Sequence, residues 1–130
     1  MIGGIGVDLV EVARMRAALA RYGDRFAARI LTAAELEEFR CSARPAQFLA
    51  KRFAAKEALV KAVGTGFRFG LGLREVGVAH DPLGRPYFVL SATAARVLAE
   101  RGLGECHLSL ADEQEHALAF VALVRGALSP

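Results

Sequence analysis

The segment RFAAKEALVKAVGTG, residues 52–66, organises the whole sequence. Its pattern predicts an apolar helix that ends in a glycine-rich turn, yet it carries four charged side chains: Arg52, Lys56, Glu57 and Lys61. Because a buried unpaired charge is expensive, each of these groups needs solvent, a partner charge or a ligand. Whether each charge faces solvent, a partner charge or a ligand determines what the helix does.

We expect this segment to belong to the long central helix of the fold. Pro45 suits the first turn of that helix, and Gly64 suits its end. When residues are placed at 100° per step, apolar side chains cover a broad arc, and Glu57 and Lys61 stack at its edge. Their i,i+4 spacing is also that of an ordinary surface ion pair, worth about 0.2–0.5 kcal/mol. Spacing alone leaves a surface pair and a ligand-facing pair both open.

Arg52 and Lys56 fall inside the apolar arc of the same helix. Their aliphatic stems could follow the apolar surface and carry the charge out to water. Alternatively, the two charges could reach an anion at a subunit boundary. The sequence leaves both alternatives open.

Three features near this helix favour a site for Mg²⁺ and phosphate. The helix runs into Gly64, Thr65 and Gly66, whose backbone can approach a ligand closely and offer N–H groups. Lys61 lies in the last turn and points to the same end. Asp8 interrupts an alternating, strand-like N-terminal segment in which aspartate is disfavoured, beside small glycines that leave room for close approach. Two carboxylates, a lysine and a glycine turn are typical of a Mg²⁺–phosphate site, although a turn that follows a helix is no P-loop.

Length and composition indicate one domain spanning residues 1–130, since 54% of the residues are hydrophobic and can form a core. The N-terminus lacks the basic leader of a secretory signal. No apolar run approaches the roughly 18–20 residues of a membrane span, so no membrane partner is expected. Cys41 and Cys106 lie far apart without metal-ligand spacing, which fits a reduced, cytoplasmic setting.

Arginines cluster early in the chain, and Asp24 is the only acid among them; they stand at Arg14, Arg16, Arg21, Arg25 and Arg29. The cluster is either a solvated helix face or a docking surface for an acidic partner. No nucleic-acid-binding motif and no aromatic interleaving accompany it, so nucleic acid is not the expected partner.

The order of predicted elements is β-α-α-α-β-β-α-β-β, which indicates an α+β domain with a mostly antiparallel sheet. A strand covers residues 2–10 and is followed by a helix from Glu11 to Tyr22. Thr32 opens a second helix with a capping-box pattern, and the long helix is the third. A hairpin with strands at 73–80 and 86–90, a helix capped by Ser91 and two final strands complete the chain.

Three motifs together resemble the holo-[acyl-carrier-protein] synthase family of phosphopantetheinyl transferases: GIGVDLVEVARM, FAAKEALVKAVGTG and the hairpin GRPY. The resemblance extends over nearly the whole chain, in order and at family length. It implies a phosphopantetheinyl transferase-like fold and a transfer of the 4′-phosphopantetheine arm of coenzyme A to a serine of apo acyl carrier protein. Adenosine 3′,5′-bisphosphate is the implied second product, and fatty acid biosynthesis the implied pathway.

The resemblance also assigns residues. Asp8 and Glu57 match the family's Mg²⁺ ligands, and Lys61, before the G-T-G turn, is expected at the coenzyme A phosphates. Arg85 and Pro86 match the hairpin segment that lies near the nucleotide. The expected chemistry is polarisation of the attacked phosphorus by Mg²⁺, with Lys61 stabilising the added negative charge.

The family presents a basic helix and the following turn to its acidic carrier protein, at positions that correspond to Arg14, Arg21, Arg25, Phe26 and Arg29. This favours the docking interpretation of the arginine cluster. Related transferases of about twice this length contain two such halves with the site between them. A homotrimer with its sites at subunit clefts is therefore implied for a single-half chain.

One position departs from the pattern of many members. Asp112 stands where they carry a histidine after the late strand, so roles given to that histidine do not carry over. The base that deprotonates the carrier serine is either Glu57 or Asp112, and we favour Glu57. Two other functions stay open: a broad-specificity transferase for carrier domains of secondary metabolism, and a non-catalytic anion-binding module.

Overall fold

A computed structural model describes residues 1–126 and confirms the predicted α+β class. The strands are β1 (Ile2–Glu11), β2 (Val76–His80), β3 (Pro86–Leu90), β4 (Leu103–Asp112) and β5 (His116–Arg125). The helices are α1 (Val12–Tyr22), α2 (Asp24–Ile30), α3 (Ala33–Arg40), α4 (Pro45–Val63) and α5 (Ala92–Glu100). Within the described residues, no helix is both long and apolar enough to cross a membrane.

Local signals set the helix ends where the sequence predicts them. Helix α4 starts at Pro45, and Gly64 ends it with a left-handed φ of 90°. The capping box of α3 is complete: the Thr32 hydroxyl accepts from the Glu35 amide, and the Glu35 carboxylate accepts from the Thr32 amide. Ser91 caps α5 by accepting from the Ala94 amide at 3.1 Å. These contacts lie within four residues, which is why pattern alone could find them.

Two local predictions were wrong. Gly23 does end α1, but the chain resumes as helix at once, so that α2 is an element the predicted order lacked. Gly23 has a φ of 64°, a value that glycine adopts without steric cost, and it turns the chain between two helices. Leu73–Glu75 forms a 3₁₀ turn rather than the start of a strand, and β2 begins only at Val76.

The strands form two antiparallel sheets where we expected one. Strands β1, β5 and β4 form a three-stranded sheet in the order β1-β5-β4, and β2 and β3 form a separate hairpin. Strand β3 packs beside β4 without joining its hydrogen-bond ladder. The hairpin therefore lies near one edge strand of the large sheet, while β1 is the opposite edge strand.

Helix α4 lies against β1 with its backbone almost in contact with the strand. A Cβ atom added at Gly4 would stand 2.1 Å from the Ala62 carbonyl oxygen, and one at Gly6 would stand 2.0 Å from that of Ala58. The room beside Asp8 is thus taken by the helix itself. This close approach fixes which residues of α4 can reach β1.

The two faces of the large sheet differ in burial. The face toward α4 is part of the core, and its buried side chains on β5 are Ala117, Ala119, Val121 and Leu123. The opposite face exposes large apolar side chains, at Ile5, Val7, Leu9, Leu118 and Phe120. Contiguous apolar patches of this kind are typical of interaction surfaces.

We predict that Gly6→Ala destabilises the fold by about 1–3 kcal/mol or more, because its methyl group would overlap the Ala58 carbonyl and the Ala62 amide. Urea unfolding followed by circular dichroism measures the loss. Gly72→Ala is the matched control, since its added Cβ meets nothing within 4 Å and its φ of −69° suits alanine. Equal stability of the two variants would contradict the close packing of α4 on β1.

Candidate active site

The carboxylate of Asp8 is anchored on the helix-facing side of β1. Its side chain is only 12% exposed, and the Lys61 ammonium donates to its Oδ1 at 2.9 Å. The same ammonium donates to the Val7 carbonyl at 3.2 Å. The hydrogen bond to Asp8 is the main cause that raises the pKa of Lys61 above its ordinary value. The predicted proximity of Asp8 and Lys61 is therefore observed.

Glu57 lies close enough to Asp8 for the two negative charges to interact. Burial raises the pKa of Glu57, the charge of Asp8 raises it further, and Lys61 and Arg14 partly oppose the shift. A raised carboxyl pKa means that folding favours the protonated form, so stability falls as pH rises through the interval between the unfolded and folded pKa values. Ionisation of Glu57 beside Asp8 is therefore disfavoured despite Lys61, and a further cation bound between the two carboxylates would offset this cost.

The arrangement suits Mg²⁺. In residues 1–126 no three acidic, histidine or cysteine side chains gather into a metal cluster, so the chain offers this pair of carboxylates. Magnesium is commonly bound by one or two carboxylates together with water and substrate phosphate oxygens. A site of two carboxylates beside a lysine is consistent with that donor set and leaves the remaining positions to a phosphorylated substrate.

The glycine turn after α4 has two of its amides engaged. Gly64 and Gly66 both have positive φ, and their N–H groups donate to the Val60 carbonyl at 3.0 and 3.4 Å. Thr65 is buried, and its hydroxyl donates to the Gly66 carbonyl at 2.9 Å. The turn is thus a structured end of α4, and its contact with phosphate stays a prediction.

Basic side chains extend from this site along α1 and α2. Arg14 lies near enough to Glu57 to lower its pKa, at the start of the series. A groove of about 550 Å³ follows, lined by Arg21, Tyr22, Arg25, Phe26 and Arg29. Four of the five docking residues expected from the sequence therefore share one groove, and the fifth lies beside Glu57.

Tyr22 is a member of this groove that sequence reasoning missed. It is 55% exposed, stacks on Phe26 at 6.5 Å between ring centroids, and is covered by the Arg21 guanidinium at 5.3 Å. An aromatic side chain directly before the Gly23 turn was the available signal. It gives the basic groove an apolar wall.

The remaining expected site residues lie elsewhere in the chain. Arg85 is exposed at the β2–β3 turn, where its amide donates to Asp81, and Pro86 begins β3. Asp112 ends β4 and faces Lys51, with 3.6 Å between Oδ1 and Nζ. The hairpin packs beside β4 and Asp112 ends β4, so β5 lies between these residues and Asp8 of β1. Within residues 1–126, no hydrogen bond or ion pair joins these residues to Asp8 or Glu57.

Both interpretations of Arg52 and Lys56 were wrong, because their partner lies inside the fold. Lys56 is fully buried and its Nζ is 2.6 Å from Glu35 Oε1. Arg52 is 3% exposed, lies over the Phe48 ring, and has its Nε 3.5 Å from Glu35 Oε2. Glu35 was known from the sequence only as a capping residue, and its long-range role left no local signal.

Comparison with known proteins gives consistent matches. The family model of the 4′-phosphopantetheinyl transferase superfamily matches residues 4–121. The holo-[acyl-carrier-protein] synthase of Laribacter hongkongensis is 55% identical over 121 residues, which cover 93% of this chain and 97% of that protein. That of Nitrosospira multiformis is 51% identical, with coverages of 95% and 98%.

Solved structures of such synthases share the fold. The crystal structure from Neisseria meningitidis matches with a TM-score of 0.92 and 45% identity, and covers 96% of this chain and 100% of that one. The Bacillus anthracis structure, described as a complex with CoA (3′,5′-ADP), matches with a TM-score of 0.80 and 35% identity, with coverages of 98% and 99%.

Proposed function

The chain belongs to the holo-[acyl-carrier-protein] synthase family of the 4′-phosphopantetheinyl transferase superfamily, and on this premise we propose how it works. It is a holo-[acyl-carrier-protein] synthase, which transfers 4′-phosphopantetheine from coenzyme A to acyl carrier protein. We further propose that this transfer needs Mg²⁺, releases adenosine 3′,5′-bisphosphate and serves fatty acid biosynthesis in the cytoplasm. The observation that carries it is the pair Asp8 and Glu57 beside Lys61.

The proposed metal ligands are Asp8 and Glu57. When bound there, Mg²⁺ would supply Lewis-acid polarisation of the pyrophosphate of coenzyme A. Lys61, which already stands 2.9 Å from Asp8 with half of its side chain exposed, is the cation that neutralises phosphate charge in the transition state. The nearby glycine turn, from Gly64 to Gly66, and Arg85 with Pro86 are proposed to contact the rest of coenzyme A.

The proton of the carrier serine is proposed to move to the Glu57 carboxylate. Burial and Asp8 raise the pKa of Glu57, whereas Mg²⁺ bound there would lower it, so the choice of Glu57 rests on its place beside Asp8 and Lys61 rather than on its pKa. Asp112, the alternative base, faces Lys51. Lys51 precedes Glu57 by six residues, which is about 9 Å along a helix, so this pairing disfavours Asp112 as the base at the same site.

The arginine groove is proposed as the docking surface for an acidic carrier protein. Arg21, Arg25 and Arg29 supply positive charge on its walls, and Phe26 and Tyr22 supply an apolar surface between them. Arg14 lies near enough to Glu57 to lower its pKa, so positive charge extends from the groove toward the two carboxylates. Complementary charge would orient the incoming carrier so that its serine arrives beside the two carboxylates.

A homotrimer is proposed, with each active site shared by two copies. Arg85 and Pro86 lie on the hairpin beside β4, with β5 between that edge and Asp8 of β1, so a cleft that joins them to Asp8 and Glu57 needs a neighbour. The exposed apolar face around Val7, Leu9 and Phe120 offers a surface for that contact. Burial of this face between copies would remove a patch that is unusual for a monomer.

Incubation with apo acyl carrier protein, coenzyme A and Mg²⁺ is expected to add one 4′-phosphopantetheine group to the carrier serine, as seen by intact-mass spectrometry. Asp8→Asn and Glu57→Gln should each reduce the rate at least about 100-fold, because each removes a proposed metal ligand. Added EDTA should stop the wild-type reaction. A rate near that of wild type in either variant would contradict the metal assignment.

The same assay separates the other candidate functions. An anion-binding module would leave the carrier mass unchanged. A broad-specificity transferase would modify carrier domains of peptide and polyketide synthases as fast as a fatty-acid carrier protein, whereas our proposal expects the fatty-acid carrier to react fastest.

The double variant Arg21→Glu/Arg25→Glu is expected to raise KM for the carrier protein at least about 10-fold and to leave KM for coenzyme A nearly unchanged. The physical reason is charge repulsion in the groove, which should weaken at high salt. Arg96→Glu, an exposed site on α5, is the matched control and should change neither KM. If both KM values rise together, the docking surface lies elsewhere.

Shared active sites predict complementation between two impaired variants. In the proposed trimer, one copy supplies Glu57 to a cleft and its neighbour supplies Arg85, so Glu57→Gln and Arg85→Glu impair different sides of it. When equal amounts mix at random, about one quarter of the clefts should receive both native residues. Mixing the two proteins, after exchange of subunits, should therefore raise activity above the mean of the separate samples. Activity equal to that mean, or a monomer by light scattering, would rule out the shared site.

A further inference from the structure

Lys56 is the most completely buried charged side chain of the molecule's described part, with no exposed surface. Its ammonium has three acceptors: the Ile30 carbonyl at 2.6 Å, Glu35 Oε1 at 2.6 Å and the Leu73 carbonyl at 3.0 Å. An ammonium carries three N–H donors, so each donor has one partner. Its geometry is fully determined by these contacts.

The three acceptors belong to three different segments. Ile30 ends α2, the helix that carries Arg25, Phe26 and Arg29 of the docking groove. Leu73 follows the glycine turn and the loop that continues from it. Glu35 lies in the first turn of α3. One side chain of α4 thus holds α2, α3 and the segment after the glycine turn.

Glu35 is itself fixed by contacts on every side. It accepts from the Thr32 amide and from the Val78 amide of β2, both at 2.9 Å, and it faces Arg52 at 3.5 Å. The carboxylate therefore cannot follow Lys56 if that side chain moves. The network acts as a rigid support for the ammonium.

Consecutive residues of α4 point to the two halves of the proposed site. Lys56 points toward α2 and α3, and Glu57 points toward Asp8 of β1. Any shift of the α2 end relative to Lys56 is also a shift of the docking groove relative to Glu57. An error of about 1 Å in the placement of reacting groups can cost about 100-fold in rate.

A contribution to stability does not by itself explain a buried ion pair, because well-packed apolar residues can often replace the pair without lowering the free energy of unfolding. What an apolar side chain could not supply is the set of directed hydrogen bonds to Ile30 and Leu73. We propose that Lys56 is a positioning residue, which holds the α2 groove and the segment after the glycine turn in register with Glu57. This inference rests on the proposed transfer function.

Two variants separate positioning from stability. Lys56→Met removes all three hydrogen bonds and leaves Arg52, at 3.5 Å, as the only cationic partner of Glu35 in the described network, so it should lower Tm. Adding Glu35→Gln removes the carboxylate charge that Lys56 no longer neutralises, and Arg52 keeps Glu38 at 3.5 Å as its partner, so the double variant should regain part of the lost Tm even though the glutamine oxygen can accept from only one of the Thr32 and Val78 amides. Neither variant restores the bonds to Ile30 and Leu73.

We expect kcat/KM for the carrier protein to fall about 100-fold in both variants, whatever their Tm. The Kd of coenzyme A with Mg²⁺, measured by calorimetry, should stay within about threefold, since Asp8, Glu57 and Lys61 are not displaced. Hydrogen exchange should accelerate in residues 24–31 and 67–75 but not in β1 or β5. Glu35→Gln alone takes the anion from Lys56 and should lower Tm, but it keeps both carbonyl contacts of Lys56; it is the control for the lost charge pair and should lose far less carrier kcat/KM than Lys56→Met.

A double variant that regains both Tm and carrier kcat/KM would overturn the inference, as would an equal loss of coenzyme A affinity. If the methionine variants do not fold, Lys56→Gln decides, because its polar end suits the buried site but stops one atom short of the ammonium position and so loses the close contacts with Ile30 and Leu73: normal carrier kcat/KM overturns the inference, and a selective fall supports it. Wild-type protein that transfers nothing would refute the proposed function instead, so the two failures are distinguishable.

Discussion

The close contact between α4 and β1 is the constraint on which the rest of the structure depends. Gly4 and Gly6 lack side chains where the helix backbone lies, and any Cβ there would collide with the carbonyls of Ala62 and Ala58. That approach brings Lys61 to hydrogen-bond distance of Asp8 and places Glu57 within its electrostatic reach. The candidate metal site is thus a consequence of backbone packing.

Helix α4 carries charge on two sides for different reasons. Glu57 and Lys61 border the strand and remain partly exposed, as a ligand site requires. Lys56 and Arg52 are buried, and two carboxylates supply the opposite charge: Glu35 faces both cations, and Glu38 lies 3.5 Å from Arg52. Main-chain carbonyls complete the hydrogen bonds of Lys56. Four charges that share one apolar segment therefore belong to two separate networks.

The turn at Gly23 gives the docking groove its shape. It ends α1 and starts α2, so that basic side chains from both helices converge around Tyr22 and Phe26. The network of Lys56 then ties the end of α2 to the helix that bears Glu57. Docking surface and proposed chemistry are in this way linked by a single buried ammonium.

The sequence by itself determined the elements whose signals are local. Pro45 and Gly64 bound α4, Thr32 and Glu35 start α3, and Ser91 starts α5 because caps and turns involve contacts within a few residues. Family motifs likewise identified Asp8, Glu57 and Lys61 as the candidate site.

Only the tertiary structure decided what depends on contacts between distant segments. Helix α2 is seven residues long and follows a glycine, so no periodic pattern announced it. The separation of the hairpin from the large sheet depends on strand pairing, which alternation does not specify. The pairing of Glu35 with Lys56 spans 21 residues, and the separation of Asp112 from Asp8 by β5 follows from strand order. The physical reason is that burial and long-range charge pairing depend on which surfaces meet, and local sequence patterns do not record this.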